Sequence, residues 1–142
     1  MIKANFFIKL ACVLLLLALP SYALACRCPG QISPESAYQR ADVVLCGKVL
    51  TVKGDIDKEG ATARIRVLKV WKKRVQSEVD VFTSTTCAFV FRTGEEYLLY
   101  LYETPEGKYY STKKCIGNLP ISKAKKALNW LERNGVSTGI DE

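Results

Sequence analysis

Cys26 and Cys28 enclose a single residue, Arg27, and this Cys-x-Cys pair is the part of the sequence best suited to chemistry. Its spacing is shorter than that of zinc ribbons and of Cys-x-x-Cys redox sites, so structural disulfides to distant cysteines are the favoured interpretation. Two such bonds would hold the segment at two points, and each closed loop of roughly 60 to 90 residues would contribute about 4 kcal/mol of stability.

The segment before this pair has the three parts of a secretory signal peptide over residues 1–25: lysines near its start, an apolar stretch, and the small residues Ala23 and Ala25 before the cleavage point. The apolar stretch is shorter than the roughly 20 residues of a membrane-spanning helix, so we expect removal of the leader and no stable membrane anchor. The mature chain would then begin at Cys26 and be secreted to the extracellular space, or to the periplasm of a bacterium.

A chain that begins at Cys26 carries a free α-amine there, whose ordinary pKa is roughly 7.7 to 8.0. This nitrogen and the Cys26 carbonyl oxygen can close a five-membered chelate on a metal ion. The catalytic zinc of a protease keeps one coordination position for water or substrate, and such a terminus would displace that water. The pair therefore has a structural interpretation, stability, and a functional one, a wedge that blocks a zinc site.

Five cysteines remain once the leader is removed, and an exported protein is expected to oxidise most of them. They are Cys26, Cys28, Cys46, Cys87 and Cys115. Because the number is odd, at least one thiol is left over or pairs between chains. Five choices of unpaired thiol, each with three connectivities, leave fifteen two-disulfide arrangements open.

Histidine is absent from the whole chain, which removes the usual general base and the commonest zinc ligand. This excludes Ser/His and Cys/His hydrolases, and the carboxylates of Glu95 and Glu96 are interpreted as a solvated turn at a strand entrance. We expect no enzymatic activity and no cofactor. The net charge of +7 falls to +5 when the two lysines of the leader are removed, a mild excess that predicts no nucleic-acid partner.

Two helices and several short strands are predicted. Ser33-Pro34-Glu35 is a helix start that predicts a short helix to about Ala41, and a second helix follows Pro120, with Ser122 as N-cap and Gly135 as its end. Strands are predicted over 43–52, 61–71, 79–84, 87–91, 96–103 and 108–113. The pattern indicates a mainly β fold: a five- to six-stranded OB-fold-like barrel with a short N-terminal helix and a C-terminal helix.

The mature residues 26–142 are enough for one hydrophobic core, and we expect them to form one domain with a loose tail from about residue 136. Along this domain the order of motifs resembles the N-terminal, netrin-like (NTR) domain of the tissue inhibitors of metalloproteinases (TIMP family). The shared features, over about residues 26–133, are an export signal ending at Cys-x-Cys, a short helix, and the strand-forming pieces "ADVVLCGKV", "VLKVWKK", "TSTTCAFVF", "GEEYLLYL" and "GKYYSTKKC".

The resemblance implies a monomeric, secreted inhibitor of zinc metalloendopeptidases whose partner is a secreted zinc metalloprotease. It implies the disulfides Cys26–Cys87 and Cys28–Cys115, selecting one of the fifteen arrangements. It also implies that the Cys26 amine and carbonyl bind the zinc of the target and that Arg27 points into the S1′ pocket of the protease. The flanking contacts that it implies are Cys28, Pro29, Ser84, Thr85 and Thr86.

The chain departs from the animal inhibitors at three points. Arg27 replaces a small hydroxyl residue, and a long cation suits the apolar S1′ pockets of matrix metalloproteinases poorly, which indicates a different target. The third disulfide of the family's domain is missing, and Cys46 in the first predicted strand is interpreted as a small buried free thiol. We also expect no counterpart of the disulfide-rich C-terminal domain.

Two alternatives to the inhibitor remain open. The first is a netrin-like module without inhibitory activity that binds a glycan or a protein through a basic surface. The lysines of that surface would be Lys113, Lys114, Lys123, Lys125 and Lys126. The second is a lipoprotein anchored through Cys26, in which lipidation would consume the thiol and block the chelate.

Overall fold

A closed β-barrel forms the centre of the computed structural model, which describes residues 26–141. The leader predicted over 1–25 lies outside the described residues. In chain order the elements are α1 (Pro34–Arg40), β1 (Val43–Asp55), β2 (Gly60–Lys72), β3 (Val75–Gln76), β4 (Glu78–Thr83), β5 (Glu96–Glu103), β6 (Tyr110–Thr112), β7 (Leu119–Pro120), a 3-10 turn (Ile121–Lys123), α2 (Lys125–Asn134) and β8 (Ile140–Asp141).

The barrel closes because β1 pairs with two strands, β2 on one side and β5 on the other. The strand order is β1-β2-β4-β6-β5, returning to β1, and β7 adds a short sixth strand beside β5. All pairs around the barrel are antiparallel except β4 with β6, which is parallel. The predicted fold class, a mainly β five- to six-stranded OB-fold-like barrel with one helix early and one late, is confirmed.

Strand β1 bends enough to serve both neighbours. Its register with β2 shifts at three places, between Val44 and Leu45, between Cys46 and Gly47, and again between Val49 and Thr51. Such irregularities increase strand twist and are common where a sheet curls into a barrel. Gly47 fits the second shift because a Cβ there would collide with the Ile65 side chain.

The barrel interior is filled by aliphatic side chains that alternate along the strands. On β2, Ile65 and Val67 point inward and are buried, whereas Arg64 and Arg66 are exposed, as their alternation predicts. The buried members of this cluster are Val43, Leu45, Val49, Ala63, Ile65, Val67, Val70, Val75, Val79, Val81, Phe91, Tyr97, Leu99 and Leu101.

A second apolar layer lies outside the barrel, where both helices cover the outer face of β1 and β5. Leu98 and Tyr100 of β5 face this layer, while Leu99 and Leu101 face the barrel interior, so β5 is buried on both sides. Its near-continuous apolar sequence follows from this position. The buried members of the outer layer are Ala37, Ala41, Val44, Trp71, Leu98, Tyr100, Ile116, Ala124, Ala127 and Leu131.

Three local predictions differ from the structure. The strand predicted over 87–91 is wrong: this segment is a loop whose Phe89 and Phe91 stack edge to face with each other and with Tyr97, with ring centroids 5.0 to 5.9 Å apart. Ser122 is not the N-cap of α2, because it lies in the 3-10 turn and Ala124 occupies the cap position.

The third difference concerns the tail that was expected to be loose from about residue 136. In the structure Thr138 bridges to Val70, and β8 pairs in parallel with β3. Within residues 26–141, no helix has the length and apolar character needed to cross a membrane.

Candidate functional site

The Cys-x-Cys segment is bound to the barrel by two disulfides. Cys26 is joined to Cys87, with their Cα atoms 5.4 Å apart, and Cys28 is joined to Cys115, with a Cα separation of 5.2 Å. The expectation of disulfide bonds is confirmed, and this pairing is the one that the resemblance implies. Arg27 therefore lies between two covalently fixed residues. We call Cys26–Pro29 together with Cys87 and Cys115 the cysteine clamp.

Both barrel-side cysteines have an unusual backbone conformation. The φ angles of Cys87 and Cys115 are 54° and 73°, in the left-handed region that residues with a Cβ seldom adopt. Each such residue costs on the order of 1 kcal/mol, so the surrounding structure must hold it in place. One contact that does so is the backbone hydrogen bond from the Lys114 N–H to the Cys87 oxygen, at 2.8 Å. This bond joins the two anchoring loops to each other.

The loop after β4 carries the first anchor and an exposed polar strip. Ser84, Thr85 and Thr86 are all exposed, and the Ser84 hydroxyl donates to the Thr86 oxygen at 3.2 Å. At the base of the loop, the buried Thr83 hydroxyl accepts from the Phe89 N–H at 2.8 Å. The structure thus brings the three predicted flanking residues next to Cys87, and through its disulfide next to Cys26.

The loop after β6 carries the second anchor and is organised by Asn118. The Asn118 amide oxygen accepts from the Tyr100 N–H at 2.8 Å, and its NH₂ group donates to the Thr112 hydroxyl at 2.7 Å and to the Lys113 oxygen at 3.1 Å. These three bonds fix the turn that presents Lys113, Lys114 and Cys115. Sequence reasoning missed Asn118, because an asparagine between a glycine and a strand carries no specific signal.

A groove of about 360 Å³ lies next to the first anchoring loop. It opens between the β1–β2 hairpin and the loop before β5, and the side chain of Val90 on its wall is 57% exposed. Its lining residues are Val52, Gly54, Asp55, Ile56, Ala61, Thr83, Phe89, Val90 and Phe91. The polar strip at Ser84–Thr86 is therefore continuous with a more apolar surface.

Cys46 is not part of this site. It lies in β1, half-buried against the outer apolar layer, and among the described residues it is the cysteine without a disulfide partner. Burial, with a smaller effect of the Glu96 carboxylate, raises the pKa of its thiol to about 11. Because the thiolate is the reactive form, this shift lowers the reactivity expected of Cys46 at neutral pH.

Metal-ligating side chains do not gather in the part of the chain that the structure describes: no three cysteine, aspartate or glutamate side chains there are placed to share an ion.

Comparison with family models matches residues 37–115 to the family described as NRG2 N-terminal. The match covers more than half of the chain, from α1 to the second anchoring cysteine, and Cys26–Pro29 precedes it. No curated protein matches the chain.

Proposed function

The chain belongs to the family described as NRG2 N-terminal, and within that family we propose for it the role of a secreted inhibitor of zinc metalloendopeptidases. The family description names no activity. The observation that carries the proposal is the cysteine clamp, which fixes Cys26 and Arg27 on a closed barrel. The proposal includes cleavage of the leader between Ala25 and Cys26.

The chemistry follows from the processed amino terminus. An α-amine with a pKa of roughly 7.7 to 8.0 is partly neutral at physiological pH, so its lone pair is available to a metal. The nitrogen and the Cys26 carbonyl oxygen together replace the water on the target's catalytic zinc. Without that water, the protease lacks the nucleophile that attacks a peptide bond.

The clamp supports this chemistry by reducing its entropic cost. A free terminus would lose backbone and side-chain freedom on binding, which weakens association. Here Cys26 and Cys28 are each bonded to the barrel, so most of that freedom is already lost in the unbound protein. The exposed Ser84–Thr86 strip beside the terminus provides a second contact for the protease.

The resemblance to the netrin-like domain of the tissue inhibitors of metalloproteinases supports the same role. That resemblance implies a barrel with one helix early and one late, with Cys26 paired to Cys87 and Cys28 to Cys115, and this chain has these features. Carried over residue by residue, it assigns zinc contact to Cys26 and entry into the S1′ pocket to Arg27, with Cys28 and Pro29 as flanking contacts.

One observation favours a second candidate, the netrin-like module that binds a glycan or a protein. Between Glu106 and Glu132 the sequence contains no acidic residue but has six lysines. They are Lys108, Lys113, Lys114, Lys123, Lys125 and Lys126. The lipoprotein alternative has less support, because the Cys26 sulfur is bonded to Cys87 and a thioether to lipid would need that sulfur.

The experiment compares two oxidised proteins, one beginning at Cys26 and one that keeps Ala25. The extra residue turns the Cys26 nitrogen into an amide, which is a poor zinc ligand, and leaves both disulfides intact. We expect the first form to inhibit members of a panel of secreted zinc metalloproteases and the second to be weaker by about 100-fold or more. Intact mass and circular dichroism check that both forms are folded with two disulfides.

Two results would count against the proposal. Equal inhibition by both forms would mean that the terminus does not chelate zinc. Inhibition by neither form, with both folded, would mean that the clamp is structural and would move the binding module to first place.

A further inference from the structure

The clamp surface, which we define by the chain segments joined at the two disulfides, is positively charged, and these segments contain no acid. Three segments form it: residues 26–33, residues 84–91 of the first anchoring loop, and residues 113–118 of the second. Their charged residues are Arg27, Lys113 and Lys114. All three side chains are exposed, and none forms an ion pair with another described residue.

The clamp itself brings these cations together. Arg27 is flanked by Cys26 and Cys28, whose partners are Cys87 and Cys115. Lys114 is the neighbour of Cys115, and its N–H is bonded to the Cys87 oxygen. The two chain segments that carry the charges are thus linked directly by Cys28–Cys115, and indirectly through Cys87, which is bonded to Cys26 and accepts from the Lys114 N–H. Several other cations of the chain are neutralised by its own carboxylates. Arg64, for example, forms ion pairs with Glu78 and Asp80.

We propose that the target is a zinc metalloendopeptidase with a carboxylate in its S1′ pocket and an acidic rim, an enzyme that cleaves before lysine or arginine. This inference rests on the proposed function, because it names the class of protease that the same site would block. It assigns selectivity to Arg27 and faster association to Lys113 and Lys114.

The Arg27 side chain would interact very differently with an apolar S1′ pocket and with one that contains a carboxylate. Placing a guanidinium in an apolar pocket removes its hydration without replacement, which is strongly unfavourable. A carboxylate in the pocket can accept two parallel hydrogen bonds from the guanidinium, the geometry that arginine favours over lysine. Arg27 therefore attracts one class of protease and excludes the other.

The lysines act at longer range. Exposed charges contribute little to the final affinity but accelerate the encounter with an oppositely charged surface. Their effect decreases with salt, because the Debye length is only about 10 Å at 0.1 M ionic strength. Replacing Arg27 should thus change the inhibition constant, whereas replacing Lys113 and Lys114 should mainly change the association rate.

The experiment uses the oxidised protein beginning at Cys26 and zinc metalloendopeptidases sorted by peptide library into those that cleave before lysine or arginine and those that cleave before leucine or phenylalanine. We expect inhibition constants at least about 10-fold lower for the first group. An R27L variant should reverse the preference, with unchanged disulfides and melting temperature.

A second measurement compares association rates of K113Q/K114Q with those of K125Q/K126Q, which removes the same charge from α2. The first variant should associate several-fold more slowly at low salt and show a weaker salt dependence, whereas the second should resemble the unmodified protein. An equal effect of both variants would contradict the role of the clamp surface and indicate that only total charge matters.

The outcomes distinguish this inference from the proposed function. Equal inhibition of the two enzyme groups, unchanged by R27L, overturns the acidic-pocket target and leaves the inhibitor standing if the Ala25 form is inactive. Inhibition of no enzyme in either group overturns both.

Discussion

At the scale of single residues, Gly117 shows how tightly the second anchoring loop is built against the barrel. Its φ is 112°, and a Cβ there would lie 2.9 Å from the Ala37 Cβ and 3.1 Å from the Tyr100 ring. We predict that Gly117→Ala lowers the free energy of unfolding by about 2 to 4 kcal/mol, because backbone strain and overpacking add. Urea denaturation of the oxidised protein measures the change.

Gly94→Ala is the matched control for this prediction. Gly94 also has a positive φ, 86°, but nothing lies within 4 Å of the position of its Cβ. Gly94→Ala should therefore lower the free energy of unfolding only by the cost of backbone strain, about 1 kcal/mol. Equal losses in the two variants would show that overpacking against Ala37 and Tyr100 adds nothing to the cost at Gly117.

At the scale of elements, the two disulfides tie one segment to two loops and are not independent. With Cys26–Cys87 intact, the second bond closes a route of only about 30 residues, two from Cys28 to Cys26 and 28 from Cys87 to Cys115. We predict that C28S/C115S costs about 3 to 4 kcal/mol in the chain-entropy model, and that removing the remaining bond costs more, because it alone closes a loop spanning 61 residues. Denaturant unfolding of C28S/C115S, and of the variant that also lacks Cys26–Cys87, measures the two losses in turn. A loss below about 1 kcal/mol for C28S/C115S would contradict the prediction.

The helix and strand boundaries show how far local sequence determines these elements. The start of α1 was predictable, because the Ser33 hydroxyl accepts from the Ser36 N–H at 3.2 Å and Pro34 follows it. The same reasoning failed at Ser122, which lies in the 3-10 turn, whereas the buried Ala124 is the N-cap of α2 without a side-chain cap bond. The strand prediction over 87–91 also failed, because alternating aromatic residues indicate burial and do not by themselves indicate strand pairing.

The sequence was enough to predict which residues belong to the candidate site, but not which chain segments meet there to form its surface. Two cysteines around an arginine indicated a clamp, and a family resemblance was needed to choose the partners. The segment of Lys114 is linked to the segment of Arg27 by a disulfide between residues 87 positions apart, and to Cys87 by a hydrogen bond. Neither contact leaves a trace in the local sequence, and the same holds for the three bonds of Asn118.

At the scale of the whole molecule, the raised pKa values of one thiol and two phenols predict that the fold loses stability at alkaline pH. Burial raises the pKa of Cys46 from 9.0 to about 11, and that of Tyr100 from 10.0 to about 12. Burial and the hydrogen bond to Glu95 raise the pKa of Tyr97 to about 12. Since the pKa values of these groups are higher in the folded than in the unfolded state, the unfolded chain loses these protons first as pH rises. The contribution of these groups to the free energy of unfolding is therefore complete below pH 9 and is lost as pH rises towards 11 to 12.

We predict a falling free energy of unfolding above pH 9, measured by urea titration at several pH values. Cys46→Ala should flatten the decrease between pH 9 and 11, and Tyr100→Phe should flatten it between pH 10 and 12. The Tyr100 hydroxyl is buried without a hydrogen-bond partner among the described residues, so its removal should cost little at neutral pH. A pH dependence unchanged in both variants would contradict the assignment.

The order of the clamp cysteines along the chain has a consequence for maturation. A polypeptide translocated from its amino terminus exposes Cys26, Cys28 and Cys46 first, yet none of these three is a partner of another. The two native bonds also interleave, so the first can close only after β4 has emerged and the second only after β6. In the proposed secretory route, rapid oxidation during export would therefore favour wrong pairs, and we expect formation of the two native bonds to need thiol–disulfide isomerisation or oxidation after the barrel has formed.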